Sequence, residues 1–165
     1  MNRMDYLWMK WRAMGLLVLG RNAAAMAVFE AMLQRWPDDT YALASRMHQQ
    51  VQSEQTSAAL ADSRRLVTLR PDHAGTWFNH GYVLELAGLW DEALAAFKRA
   101  AELGPELDRA WYGMGLVLIR LGRHDEAVSA LKRNTELQPM SPHGWYQLAR
   151  VHVDRHDPDE AVKII

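Results

Sequence analysis

The sequence predicts an all-α protein, a solenoid of antiparallel helix pairs. Two observations lead to this fold class. Four of the six prolines, at positions 37, 71, 105 and 139, are spaced 34 residues apart. Within each interval, apolar residues follow two helical patterns separated by a turn. One helix pair cannot bury its apolar face alone, so a fixed period of this length indicates pairs stacked into one array.

Composition and charge exclude several classes of function. The 165 residues include 19 Lys and Arg, 20 Asp and Glu, and no cysteine, and the formal net charge is −1. A balanced charge argues against a strongly basic nucleic-acid binder. The lack of cysteine excludes a disulfide framework, a thiolate nucleophile and a cysteine zinc site. We therefore expect no nucleic-acid partner.

Other residue types keep the same 34-residue step as the prolines. The recurring sets are Trp77, Trp111 and Trp145; Gly81, Gly115 and Ala149; Ala25, Ala59, Ala93, Ala127 and Ala161; Phe29, Phe97, Leu131 and Ile165; and Gly20, Gly88 and Gly122. Small residues in both helices are expected to let the two backbones approach closely. The Trp and Phe sets are expected to fill the space between neighbouring pairs.

The clearest repeat shows how each element is predicted. Trp77, His80, Gly81 and Leu84 fall at i, i+3, i+4 and i+7, which is one face of a helix. Gly88 follows, where the end of a helix needs a residue that tolerates positive φ. A second helix then begins.

Carboxylates and prolines mark the limits of the second helices. Asp91 and Glu92 are placed in the first turn, which suits the helix dipole. That helix ends at Gly104-Pro105, because proline cannot continue a helix. In the last period, Asp157-Pro158-Asp159-Glu160 reads as an N-cap, a proline in the first turn and a glutamate three residues after the cap.

This pattern resembles the tetratricopeptide repeat family, whose signature is W-x2-L-G-x2-Y, then A-x3-F, then P. The best match runs through Trp77, Gly81, Ala93, Phe97 and Pro105. The resemblance implies a right-handed superhelical solenoid and one domain over residues 1–165. Its predicted repeats are 6–39 and 40–73, both divergent, 74–107, 108–141, and an incomplete 142–165.

The second repeat departs most from this pattern. It carries Leu43, Met47 and Ser63 where Trp, Gly and Phe are expected. Glu54 stands where the turn glycine would be.

The resemblance also implies a binding groove lined by the first helix of each repeat, which receives an extended peptide or a partner helix. The groove candidates are Tyr41, His48, Phe78, Asn79, Tyr82, Arg109, Tyr112, Leu116, Tyr146 and Arg150. Aromatic side chains with two arginines would suit a peptide with apolar and some acidic side chains. Phe78, Tyr112 and Tyr146 share one repeat position, where packing between repeats explains an aromatic residue equally well.

The N-terminal helix is apolar nearly all round, which indicates a second surface. Trp8, Trp11 and Met14 are the candidates for self-association or docking. The alternative is contact with a membrane surface, with Lys10 and Arg12 near lipid phosphates. The last helix stops at Ile165, so either the natural chain continues or the ends of the array are buried in another copy or partner.

Catalysis, metals and targeting find little support in the sequence. His152 and His156 form an i, i+4 pair, but His156 occupies a turn position, so no metal site is predicted. His80 is expected to be buried and neutral. We expect no enzyme activity and no cofactor, and a cytoplasmic location because the apolar run near the N-terminus is too short for a signal peptide or membrane helix. The favoured function is an interaction scaffold or adaptor, and the alternative is a secretion- or assembly-type chaperone.

Overall fold

A computed structural model describes residues 3–154, and every regular element in that range is an α-helix. The helices are α1 Arg3–Val18, α2 Asn22–Arg35, α3 Thr40–Gln52, α4 Thr56–Leu69, α5 Ala74–Leu86, α6 Trp90–Leu103, α7 Asp108–Arg120, α8 His124–Leu137 and α9 Pro142–Asp154. The predicted all-α class is confirmed. The helix start predicted at Asp157-Pro158-Asp159-Glu160 lies outside the described residues, as do Ala161 and Ile165.

The helices divide into two compact units, which meet in the sequence between Arg70 and Pro71. In the first unit α1 packs against α2, α2 against α3, and α3 against α4. In the second unit α5 packs against α6, α6 against α7, α7 against α8, and α8 against α9. The first helices of its repeats also touch, α5 with α7 and α7 with α9. The single domain and its five repeats stay predictions, although α3, α5, α7 and α9 each begin at the first residue of a predicted repeat.

The turn inside a repeat depends on one residue with positive φ. Gly20, Gly88 and Gly122 have φ of 68°, 73° and 71°. Glu54 holds the same place in the second repeat and has φ of 59°. Its backbone N–H donates to Val51, as that of Gly88 donates to Glu85. The turn geometry is therefore kept even where glycine is not.

Gly81, Gly113 and Gly115 in the first helices make room for side chains of second helices. A Cβ added to Gly81 would lie 2.8 Å from the ring of Phe97, and one added to Gly113 would lie 2.7 Å from the same ring. Phe97 of α6 is thus held between α5 and α7. Gly115 makes the same room for Leu131. At each of these glycines a side chain of a second helix occupies the space that a Cβ would take.

The repeated tryptophans share a hydrogen bond that the sequence analysis did not predict. Trp77 is half-buried, and its indole Nε1 donates a hydrogen bond to the carbonyl of Pro71 at 2.7 Å. Trp111 and Trp145 donate to Pro105 and Pro139, each at 2.9 Å. An indole N–H needs a partner, so the ring lies at the edge of the helix where the preceding loop supplies a carbonyl. The Trp and Pro sets are therefore one structural feature.

An ion pair joins the two helices of the divergent second repeat. Asp62 of α4 is buried and accepts two hydrogen bonds from Arg46 of α3, at 2.7 Å and 2.6 Å. The corresponding positions of the third repeat hold His80 and Ala96. The hydrogen bond from Arg46 to Asp62 raises the pKa of the Arg46 guanidinium. This two-bond geometry holds α3 and α4 together through charge.

Candidate peptide-binding face

The predicted groove residues of the second unit lie on one side of their helices. In α5, Thr76, His80 and Val83 point to the buried side, whereas Asn79 and Tyr82 are exposed. At 100° per residue these two sets lie on different sides of the helix. Because α5 touches α7 and α7 touches α9, their exposed sides form one surface, which we call the first-helix face.

The best-defined contact on this face joins two of the predicted residues. The guanidinium carbon of Arg109 lies 4.9 Å from the centre of the Phe78 ring. Phe78 in turn packs on buried Phe97, with ring centres 5.8 Å apart. One face of the Phe78 side chain therefore serves packing while another supports a cation. The structure therefore supports packing as an explanation for the aromatic residue at this position, and ligand contact stays a prediction.

The remaining predicted residues of this face differ in exposure. Tyr146 is 65% exposed and Tyr82 is 44% exposed, so both rings are accessible to a ligand. Asn79 and Arg150 are also exposed, whereas Tyr112 and Leu116 are partly buried. The face therefore offers two open tyrosines and two arginines above a partly buried apolar floor.

A carboxylate and a further arginine on the same face escaped the sequence analysis. Burial raises the pKa of the Glu85 carboxyl, and the charge of Arg120 partly opposes this shift. Arg120 also lies over the ring of Trp90, 5.9 Å from its centre. Glu85 is three residues after Tyr82, so helical spacing could have indicated that Glu85 shares the face to which the family resemblance assigns Tyr82.

The two groove candidates of the first unit have their own surroundings. Tyr41 is partly buried, edge-on to Phe29 with ring centres 6.2 Å apart, and the Nζ of Lys10 lies 4.3 Å from the centre of its ring. His48 is exposed, and one ring nitrogen lies 3.0 Å from the amide nitrogen of Gln52. The first unit therefore also pairs a cation with an aromatic ring, Lys10 with Tyr41.

The three residues predicted for docking all lie on α1 and are open to solvent. Trp8 is 61% exposed, Trp11 68% and Met14 40%. Ala13 is the buried residue of this helix. None of the helices formed by residues 3–154 is long and apolar enough to cross a membrane.

The histidines form no metal site in the part of the chain that the structure describes. No group of three or more His, Asp and Glu side chains in residues 3–154 could hold a metal ion. His152 is buried on α9, and His156 lies outside the described residues. His80 is buried as expected and lies edge-on to Trp77, with ring centres 6.2 Å apart.

Comparisons with known proteins agree with the helical-repeat fold. The sequence matches the profile of the tetratricopeptide repeat over residues 49–108, 90–142 and 112–165. Its fold is similar to that of the MamA protein, with a TM-score of 0.91, 20% identity, and coverage of 99% of this chain and 89% of MamA. No curated protein sequence matches the chain.

Two further solved structures share the fold. YrrB, described as a TPR protein with an unusual peptide-binding site, gives a TM-score of 0.80 at 20% identity over 92% of this chain and 78% of its own. TTC0263, a thermophilic TPR protein of Thermus thermophilus, gives 0.70 at 26% identity over 92% and 84%. These likenesses confirm the predicted helical-repeat class.

Proposed function

The chain belongs to the tetratricopeptide repeat family, and on that basis we propose that it is an interaction scaffold whose first-helix face binds an extended peptide or a partner helix. The observation that carries this proposal is the Arg109–Phe78 pair, flanked by exposed Asn79 and Tyr82. A packed aromatic ring fixes the guanidinium in place, so a carboxylate can bind it with little loss of side-chain freedom.

The chemistry of the face favours a ligand with acidic and apolar side chains. Arg109 and Arg150 are exposed and supply planar donors that match a carboxylate. Tyr82 and Tyr146 offer rings for apolar side chains and hydroxyl groups for backbone hydrogen bonds. A negative charge on Glu85, on the same face, would repel a ligand carboxylate placed beside it. We therefore expect the acidic residue of the ligand near Arg109 and its apolar residues near the tyrosines.

A displayed library of random peptides, selected on the wild-type chain, tests this proposal. Selected peptides should carry Asp or Glu beside apolar residues. The double variant Asn79→Ala, Arg109→Ala should weaken their binding at least about tenfold in fluorescence anisotropy, because it removes a charged and a polar contact. Arg99→Ala on α6 is the control, since it removes an exposed arginine from another face.

The outcomes are distinct. Equal binding of the selected peptides by the double variant, with a circular dichroism spectrum like that of the wild type, would move the site to another surface. Loss of binding in the control as well would indicate a general charge effect rather than a site.

The other expectations remain part of this proposal. We expect no catalysis and no cofactor, and a cytoplasmic location. The alternative of a secretion- or assembly-type chaperone has no observation of its own to favour it. Assembly of several copies through a terminal helix is argued separately below.

A further inference from the structure

Helix α1 has two apolar sides, and α2 covers one of them. The uncovered side carries Met4, Trp8, Trp11 and Val18, which are 74%, 61%, 68% and 85% exposed. Gly15 lies between the last two of these on the same line. We call these five residues the α1 seam. Leu7 and Met14, also exposed, border it.

The α1 seam has the spacing of a helix-pairing surface. Its members follow one another at steps of 4, 3, 4 and 3 residues, which is the a and d spacing of a coiled coil. At 100° per residue, the seam and its two bordering residues occupy an arc of about 120°. The charged residues of the helix, Arg3, Asp5, Lys10 and Arg12, all lie outside that arc. An uninterrupted apolar arc on an exposed helix indicates that another helix covers it.

We propose that the α1 seam pairs two copies of this chain as antiparallel helices, with Trp8 of each copy against Gly15 of the other. In this arrangement Met4 faces Val18 of the second copy, and the two Trp11 side chains meet at the twofold axis. A Cβ added to Gly15 would have nothing within 4 Å, so the space beside it is open to an indole ring. The seam is thus complementary to itself only when one copy is reversed.

Two further observations favour the antiparallel direction. A parallel pair would place Trp8 on Trp8 and Gly15 on Gly15, which leaves one site crowded and the other empty. The last turn of α1 has no basic residue. An antiparallel partner brings its Arg3 to that end, where a cation stabilises the helix dipole.

The exposed area is large enough for a stable pair. An aromatic side chain buries roughly 150–250 Å² when it is fully covered. Pairing would bury about 1,000 Å² of accessible surface in total, which is the size at which specific interfaces begin. This area comes from four indoles that are about two-thirds exposed and from Met4, Leu7, Met14 and Val18 of both copies. Two linked copies would also present two first-helix faces, so a ligand with two binding segments would gain effective affinity.

Sedimentation equilibrium of the full chain tests the pairing. The wild type should be dimeric at micromolar concentrations, and Gly15→Glu should weaken association at least about 30-fold. This variant is informative because a side chain at position 15 meets nothing within a single chain. Glutamate also forms helices better than glycine, so the melting temperature of the monomer should not fall below that of the wild-type monomer. Ala31→Glu, an exposed change of the same charge on α2, is the control.

Cross-linking tests the direction, and the chain is suited to it because it contains no cysteine. A mixture of Met4→Cys and Val18→Cys chains should form a disulfide-linked heterodimer under mild oxidation, and neither variant alone should link to itself. Self-linked Met4→Cys chains would overturn the antiparallel arrangement. A monomeric wild type would overturn the pairing itself.

Vesicles distinguish a lipid surface from a second copy. In the antiparallel pair the two Arg12 guanidiniums lie on the same side and repel each other. Added salt screens this repulsion, so it should strengthen association of the two copies. Binding to anionic vesicles should weaken with salt. Salt-sensitive flotation with vesicles of phosphatidylserine and phosphatidylcholine, by a chain that stays monomeric in solution, would contradict the proposal.

Discussion

Trp77 and Pro71 are joined by a hydrogen bond of 2.7 Å from the indole Nε1 to the backbone carbonyl. The same bond joins Trp111 to Pro105 one repeat later. Proline ends the preceding helix, and tryptophan six residues on binds the carbonyl that this ending leaves available. The bond therefore holds each repeated indole against the loop that precedes its helix.

Replacing Trp77 by phenylalanine should lower the free energy of unfolding by about 1 kcal/mol, the usual net value of one hydrogen bond. Phenylalanine keeps an apolar ring but cannot donate. The midpoint of guanidinium chloride unfolding, measured on the monomeric chain at low concentration, reports the change, and Trp11→Phe on exposed α1 should leave that midpoint unaltered. An equal shift in both variants would show that the bond to Pro71 is not the cause.

Two glycines inside helices should respond in opposite ways to alanine. At Gly81 a Cβ would lie 2.8 Å from the Phe97 ring, whereas at Gly15 it would meet nothing within 4 Å. Gly81→Ala should therefore destabilise the chain by about 1–3 kcal/mol through overpacking. Gly15→Ala should stabilise it by up to about 1 kcal/mol, because alanine forms helices better. Thermal melts of the monomeric chain at low concentration measure both changes in stability. The double variant Gly81→Ala, Phe97→Leu should recover part of the stability lost in Gly81→Ala, because leucine is smaller than the ring that the new Cβ would meet. Equal shifts would contradict the packing described here.

The repeat period predicted much of the fold, because the spacing of Pro, Gly and Ala fixes where helices end and which side is buried. It did not predict what a repeated side chain contacts. Trp77 has one ring face for packing and one N–H for a carbonyl, and the sequence shows only that the residue recurs. The ion pair of Arg46 and Asp62 was not predicted for another reason: it occurs in one repeat, so it leaves no period to detect.

The candidate site was predicted in the same uneven way. The family resemblance placed Phe78, Asn79 and Tyr82 in the groove, and the structure shows Phe78 beside Arg109 of α7. That contact depends on how two helices pack, which spacing along the chain does not specify. Glu85 was missed because a charged residue on a helix is usually solvated, and only the structure shows that it is partly buried.

Glu54 holds a backbone conformation that favours glycine, with φ of 59°. A non-glycine residue in this region costs about 1 kcal/mol or more. Glu54→Gly should raise the free energy of unfolding by about 0.5–1 kcal/mol after the extra flexibility of glycine in the unfolded chain is subtracted. Gly88→Glu, the reverse change in the next repeat, should lower it. Chemical denaturation measures both, and a loss of stability in Glu54→Gly would contradict the turn geometry.

Tyr6 makes the packing of α1 sensitive to alkaline pH. Burial, followed by a hydrogen bond to Asp39 and the charge of that carboxylate, raises the pKa of Tyr6 to about 12. Because the folded pKa exceeds the unfolded value of about 10, the stabilisation is fully present below pH 10 and is lost as the pH rises towards 12. Tyr6→Phe should remove this loss. Subtracting the tyrosinate absorbance of Tyr6→Phe from that of the wild type gives the ionisation of Tyr6, which should have its midpoint near pH 12. A midpoint near pH 10 would show that burial and Asp39 do not raise the pKa of Tyr6.

The location of the ligand is best measured by backbone amide chemical shifts of the labelled chain during titration with a selected acidic peptide. We predict that shift changes cluster on α5, α7 and α9, at Phe78, Asn79, Tyr82, Arg109, Tyr146 and Arg150. Arg109→Ala should reduce them, while the α6 and α8 amides on the opposite side change little. Changes confined to α6 and α8, or to α1, with the α5 and α7 amides unmoved, would contradict a ligand site on the first-helix face.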